Sequence, residues 1–458
     1  MSQAISERLS EYITTLSFDD LPADVIEKAK LHFLDFIGIC LASTRMPWSK
    51  AAVEVTNEQH CKGESSIIGF EECTSAINAA FANGVLAHSL EFDDTHIQTT
   101  IHPGSAVIPA ALATAEEEKL SGRDLILSII LGYEVAIRVA RSVYPSHIER
   151  GFHITGTVGT FGAAVAASKN LGLKKNQIVD ALGLAGTQAA GVFEFAVDGA
   201  MSKRIHAGKA AMNGVLAALL ARKGVTGPKK IFEGNYGFCK AYSDNYAPEF
   251  ITADLDTKFL TRELFLKSYA CCGHFQQPII AAIELALEND IEPTNIKRVI
   301  VSTYKSASLP CFKKYDVKTP LEAQLSSMPF AIALALTKRP REVIVPSGFL
   351  EDFVEKYDDP QILSLARKVH IQTDPGLNEL FLATGNPVCN VRIITRDGTE
   401  YERRITTPRF MTKTEAEKKY MYLSSKLLDE GTQREILRKV SDIDKLEEVE
   451  ELTQLFRL

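Results

Sequence analysis

Apolar residues return every third or fourth position over the first part of the chain, and this periodicity predicts helix almost throughout from Leu21 to about Thr261. Ahead of it, Ile5, Leu9, Ile13 and Leu16 stand at helical spacing. The same stretch carries Glu7 and Glu11, which fits a first helix rather than a signal or transit peptide. "PADVIEKAKLHFLDFIGICLAS" opens with Pro22 in its first turn, and "SGRDLILSIILGYEVAIRVA" begins with Ser121 three residues before Asp124, the pattern of a capping box. "GTVGTFGAAVAASKNLG" and "DALGLAGTQAAGVFEFA" are rich in Gly and Ala, and small residues at this spacing let helix backbones approach closely. The series Gly156, Gly159, Gly162 lacks the G-x-G-x-x-G spacing and no strand precedes it, so it reads as helix packing, not as a dinucleotide loop.

After Glu263 the period changes. "KRVIVSTY", "RKVHIQTD" and "CNVRIITRDGTEYERRI" alternate apolar and polar residues, the last around the hairpin signal Asp397-Gly398. These predicted strands alternate with helical runs such as "QQPIIAAIELALEN" and "LEAQLSSMPFAIALALTK", and from Lys413 the chain returns to amphipathic helix. The expected fold is therefore mainly α: a large all-helical domain built from both ends of the chain, residues 1–262 and 407–458, with an α+β domain of residues 263–406 inserted between them; separate consecutive domains are the alternative.

Composition narrows the function. The formal charge of −7, with no stretch interleaving Lys or Arg with aromatics, argues against a nucleic-acid partner. No apolar run is long and clean enough to suggest a membrane span. The eight cysteines include no C-x-x-C pair, which suits reduced thiols in a cytoplasmic protein and weakens an iron–sulfur reading.

Seven of the ten histidines fall between His88 and His274, several beside Gly, Thr or Lys just before a predicted helix. They sit in "HSLEFDDTHIQTTIHPG", "RGFHITGTVGT", "MSKRIHAGKAA" and "LFLKSYACCGHFQQP". Helix N-termini offer unpaired N–H groups and a partial positive charge, and Lys203, Arg204, Lys209 and Lys267 would add full charges. A small molecule with several carboxylates fits such a site, with His102 and His153 as candidate general acid and base. Plainer roles compete: Asp93 and Asp94 suit a turn, His206 and His274 suit satisfied core histidines, and Lys209 suits a solvated helix face. His88 and His96 with Asp93 or Asp94 match no helical metal motif, and no G-x-S-x-G elbow occurs, so neither a metal nor a serine nucleophile is expected.

Five segments in register resemble the MmgE/PrpD family: "HSLEFDDTH", "HPGSAVIPAALA", "FHITGTVGTFGAAVAASKNLGL", "SKRIHAGKAAMNGVLAALLARKGVTGP" and "KSYACCGHFQQPIIAAIELAL". The resemblance implies a cofactor-free homodimer whose inserted α+β domain acts as a lid. It implies activity on small polycarboxylates: dehydration of 2-methylcitrate, decarboxylation of cis-aconitate or epimerisation of iminodisuccinate. It places His102, His153, Lys203 and Lys267 in catalytic roles, and Glu91, Thr95, Arg204, His206 and His274 around the substrate. Two positions depart from the family. Glu91 stands where its motif usually begins with Asp, and Pro329 or Phe330 stands where the decarboxylases carry a tyrosine. The resulting expectation is a cofactor-independent lyase that dehydrates a 2-methylcitrate-like hydroxy acid, ahead of decarboxylation or epimerisation. A non-catalytic carboxylate-binding protein on the same fold is the expectation of another class.

Overall fold

The computed structural model describes residues 3–458, and most of them are helical. The first helix, Ile5–Thr15, starts where the Glu7 carboxylate accepts from the Ala4 backbone N–H, and it buries Leu9, Tyr12 and Ile13. Helix Ala23–Ser43 follows Pro22 directly, and helix Gly122–Val143 carries the reciprocal Ser121–Asp124 cap.

The glycines of the central helices serve close approach. A Cβ added to Gly162 would lie 2.8 Å from the Gly132 carbonyl oxygen, and one added to Gly214 would lie 2.4 Å from the Ala163 side chain. Helices Gly104–Glu117, Ile154–Asn170 and Lys203–Arg222 consequently pack backbone to backbone, and each begins at a residue adjoining the site described below.

The second half holds a four-stranded sheet. Strand Ile296–Thr303 lies at its centre, parallel to Val369–Thr373 on one side and antiparallel to Cys389–Thr395 on the other; Glu400–Ile405 forms the far edge. The Asp397-Gly398 turn has Gly398 at φ +91°, a value that favours glycine. Helix Gln276–Glu288 covers the sheet. One expected helix is two: the run 321–338 breaks into Pro320–Leu325 and Met328–Lys338, because Ser327 leaves helical geometry and its hydroxyl caps the Phe330 N–H at 3.0 Å.

Two apolar cores result. One joins residues between Leu9 and Leu264 to Tyr420 and the segment from Leu428 to Phe456, so both ends of the chain share it. The other runs from Phe265 to Ile405 and recruits Leu90, Phe92 and Ile97. Residues 90–97 are thus where the cores meet. Among the described residues, no helix is long and apolar enough to cross a membrane.

Candidate active site

Between the cores lies a cavity of about 540 Å³, lined from the helical side by Glu91, His102, His153 and Lys203 and from the other by Lys267, Cys272, His274, Lys305 and Phe312, among others. Its polar floor is built from loop 88–103 and from the ends of long helices. His153 is the N-cap residue of Ile154–Asn170, Lys203 is the first residue of Lys203–Arg222, and His102 stands two residues before Gly104–Glu117. The caps of the second and third of these helices, His153 and Ser202, make no side-chain capping bond, so their first-turn N–H groups add positive potential beside the cavity.

Glu91 anchors the charge network. Its backbone has φ +56°, a strained value for a residue with a Cβ, which the surrounding loop holds in place. Its carboxylate is paired with Lys203, and its carbonyl accepts from Lys267 Nζ at 3.0 Å. Lys267 Nζ also lies 3.5 Å from Asp93 Oδ1. Asp93 accepts from His88 Nδ1 at 2.6 Å, and the His88 ring sits 5.1 Å from that of His102 and 5.9 Å from that of His153.

These neighbours separate the protonation behaviour of similar groups. Burial pushes the Glu91 carboxyl up, but the charges of Lys203, Lys267 and Arg204 outweigh it and hold the group at about 2. Burial likewise opposes ionisation of Asp93, and the His88 hydrogen bond and the charge of Lys267 keep its carboxyl well below the usual range. The two lysines part company. Burial lowers Lys203 despite Glu91, whereas Asp93 and Glu91 more than offset burial at Lys267 and raise it above the ordinary lysine value. Burial holds both His102 and His153 far below the usual imidazole value, at His102 against the opposing charge of Asp93 and in both cases helped by Lys203. They are neutral bases at neutral pH.

Hydrogen bonds orient both rings. His102 Nδ1 lies 2.8 Å from the Asp94 carbonyl and 3.0 Å from Thr95 Oγ1; a carbonyl only accepts, so Nδ1 carries the proton and Nε2 is the basic nitrogen. His153 Nδ1 lies 3.0 Å from His206 Nδ1, a contact that requires one ring to donate to the other. Cys272 also lines the cavity, but burial holds its thiol protonated, at about 11, which makes it a poor nucleophile.

Of the residues singled out in the sequence, Glu91, His102, His153, Lys203, Lys267 and His274 line the cavity together. Thr95, His206 and Arg204 stand behind it. Thr95 and His206 touch His102 and His153, and Arg204 is buried with its guanidinium 4.6 Å from the Trp48 ring centre. His274 bonds Tyr304 Oη at 2.8 Å, and burial brings it down to about 4. Asp94 holds the turn, accepting from the Gly104 N–H (2.9 Å), Tyr133 Oη (2.9 Å) and His32 Nδ1 (2.9 Å). Asp93 instead belongs to the charge network. Phe330 lies in the second core and Pro329 is buried beside it, neither on the cavity, so their identity carries no argument about the reaction; Leu325 and Ser326 are the lining residues of that segment.

Sequence reasoning missed the His88–Asp93 pair, whose only signal was the local density of histidines. It also missed Lys419, which is fully buried, 2.7 Å from Asp35, and bonded to the carbonyls of Phe92 (2.9 Å) and Lys267 (3.2 Å). Among the described residues, no group of three or more His, Cys, Asp or Glu side chains is arranged to hold a metal ion.

The profile of the MmgE/PrpD N-terminal domain matches residues 7–251, and that of the MmgE/PrpD C-terminal domain matches residues 269–445. The chain is 30% identical to a cis-aconitate decarboxylase of Aspergillus terreus, the match covering 98% of this chain and 95% of that protein. It is 30% identical to a cis-aconitate decarboxylase-like protein of Aspergillus oryzae over 98% of this chain and 97% of that one. Against the cis-aconitate decarboxylase of Homo sapiens the identity is 28% over 100% of this chain and 95% of the human protein.

Proposed function

The chain belongs to the MmgE/PrpD family, and from that premise we propose that it is a lyase acting on a small polycarboxylate, with decarboxylation of a cis-aconitate-like acid as its reaction. The observation that carries this reading is the convergence on one cavity of two lysines, Lys203 paired with the Glu91 carboxylate and Lys267 bonded to its carbonyl, with two histidines that burial keeps neutral. Lys267 keeps its charge and holds a substrate carboxylate, aided by the helix N-termini. Loss of carbon dioxide leaves an electron pair that spreads toward a neighbouring carboxylate, and that charge is steadied by the same cations. The carbon then takes up one proton, for which Lys203, made more acidic by burial, is the donor. His102 and His153 relay the proton, with His206 and Thr95 setting their ring orientation.

Dehydration of a 2-methylcitrate-like hydroxy acid is the second reading. It is favoured by the neutral state of His102 and His153, since removing a C–H proton beside a carboxylate needs a free base. Purified protein incubated with cis-aconitate, citrate and 2-methylcitrate separates the two. Carbon dioxide release from cis-aconitate supports the first; alkene formation from a hydroxy acid without carbon dioxide supports the second. No turnover of any of the three overturns both.

A further inference from the structure

One cation beside the site has no task in the reaction above. Arg204, the second residue of helix Lys203–Arg222, is 1% exposed and lies behind the cavity wall. Its guanidinium sits over the Trp48 ring, and a ring face holds a guanidinium by its plane and leaves the in-plane N–H donors unused. Among the described residues, nothing accepts from its Nε or Nη1. Glu91 has the complementary want: its Oε2 is paired with Lys203, and its buried Oε1 accepts from none of the described residues. Burial lowers the Arg204 guanidinium, and Glu91, followed by Asp93, is the charge that opposes it, so the idle donors and the idle acceptor belong to one network. The charges of that network also balance in a telling way. The carboxylates of Glu91 and Asp93 cancel the ammonium groups of Lys203 and Lys267. A polyanion gains little from a neutral floor against the cost of leaving water. Arg204 is the surplus cation, and because it does not line the cavity its charge serves a bound acid through another group.

We infer that Arg204 is the alternative partner of Glu91: when a polycarboxylate enters, the Glu91 side chain passes from Lys203 to the Nε and Nη1 donors of Arg204, and Lys203 turns to the substrate. This rests on the polycarboxylate reading above and adds how its cation is released. Arg204 is thus a positioning residue that acts through Glu91. Trp48 holds the guanidinium plane in place, and the Ser49–Ser89 hydroxyl bond of 2.9 Å ties the helix that carries Trp48 to the loop that carries Glu91.

A double-mutant cycle tests it. Binding is measured by calorimetry with tricarballylate, a saturated acid that lacks the double bond and hydroxyl of the proposed reactions. Turnover is measured with whichever of cis-aconitate, citrate and 2-methylcitrate reacts. Arg204→Met leaves Glu91 on Lys203, so tricarballylate binding weakens about 10- to 100-fold, and KM rises more than kcat falls. Arg204→Lys keeps a cation for Glu91 and recovers part of the loss. In the Glu91→Gln background no carboxylate holds Lys203, and there Arg204→Met changes binding by less than about 3-fold. Trp48 is the only tryptophan of the chain, so its emission reports on the Arg204 plane. That emission shifts when the wild-type protein is saturated with tricarballylate and stays fixed in Glu91→Gln. This second arm leaves Arg204 in place, and it decides the question if Arg204→Met does not fold. Equal penalties for Arg204→Met in the two backgrounds, or acid binding that leaves Trp48 emission unmoved, overturn the inference, while turnover leaves the proposed function standing. Wild-type protein that neither binds nor turns over any of these acids removes the proposed function itself, and this inference with it.

Discussion

His147 gives the sharpest test of the electrostatic reasoning, because it is fully buried, and burial, opposed by a backbone bond to Tyr242, takes it from 6.5 to about 4. Its Nε2 bonds Thr157 Oγ1 at 2.8 Å, tying segment 144–152 to the first turn of the helix that His153 caps, and its ring lies among Phe152, Phe238 and Tyr242. The folded form resists protonation, so as the pH falls below 6.5 the unfolded chain takes up the proton first and stability is lost until the folded value is reached. For a shift of this size the loss is about 2 kcal/mol between pH 7 and pH 5, and about 3 kcal/mol once both states are protonated. Other groups titrate as well. Asp35, Glu116 and Glu134, whose carboxyls burial raises, act in the opposite direction. The quantity to measure is therefore a difference between proteins. His147→Gln keeps a polar partner for Thr157 and removes the titration, so its stability deficit at pH 7 shrinks by about 2 kcal/mol at pH 5. Urea midpoints of the two proteins at pH 7, 6 and 5 provide the assay. Parallel curves would show that burial does not hold His147 neutral, and the same logic at His102 and His153 would fall with it.

Other outcomes follow from the same structure. The acid limb of kcat/KM passes through pH 6.5 without a break, because His102 and His153 stay neutral there; a limb centred on the ordinary imidazole value would refute their assignment as buried bases. His153→Gln lowers kcat by roughly 10²–10⁴-fold while tricarballylate affinity changes little; retained turnover would remove His153 from the mechanism. Lys419→Met leaves Asp35 buried without its cation and costs about 3–5 kcal/mol, partly recovered in the double variant with Asp35→Asn. Loss of less than about 1 kcal/mol by urea denaturation would mean the pair is not coupled.

The helical body, the four strands and the Asp397-Gly398 hairpin were legible because each rests on a period of apolar residues or a turn residue written locally in the chain. The candidate site was legible in its outline, since histidines and lysines at the starts of helices mark places where side chains and helix ends can converge. What stayed hidden depends on burial of polar groups and on distant partners. Asp93 and Asp94 are neighbours of the same type, yet one holds a turn and the other faces Lys267, and no local pattern separates them. Lys419 sits in a helix of mixed charge, "KTEAEKKYMYLSSKLLDE", where nothing distinguishes it from the solvated lysine Lys418 beside it. Its partner Asp35 lies inside the second helix, almost the whole chain away.

The position of Lys419 has a consequence for how the molecule is made. The loop that carries Glu91 and the segment that carries Lys267 are translated long before the helix whose amine donates to both of their backbones, across sequence separations of 327 and 152 residues. During synthesis the early helices can pack, since domains begin folding from the N-terminal side. The carbonyls of Phe92 and Lys267 then wait for their donor until Lys413–Ser424 arrives. Final assembly of this network is thus a late, long-range event, and such contacts form slowly because a large loop must close first.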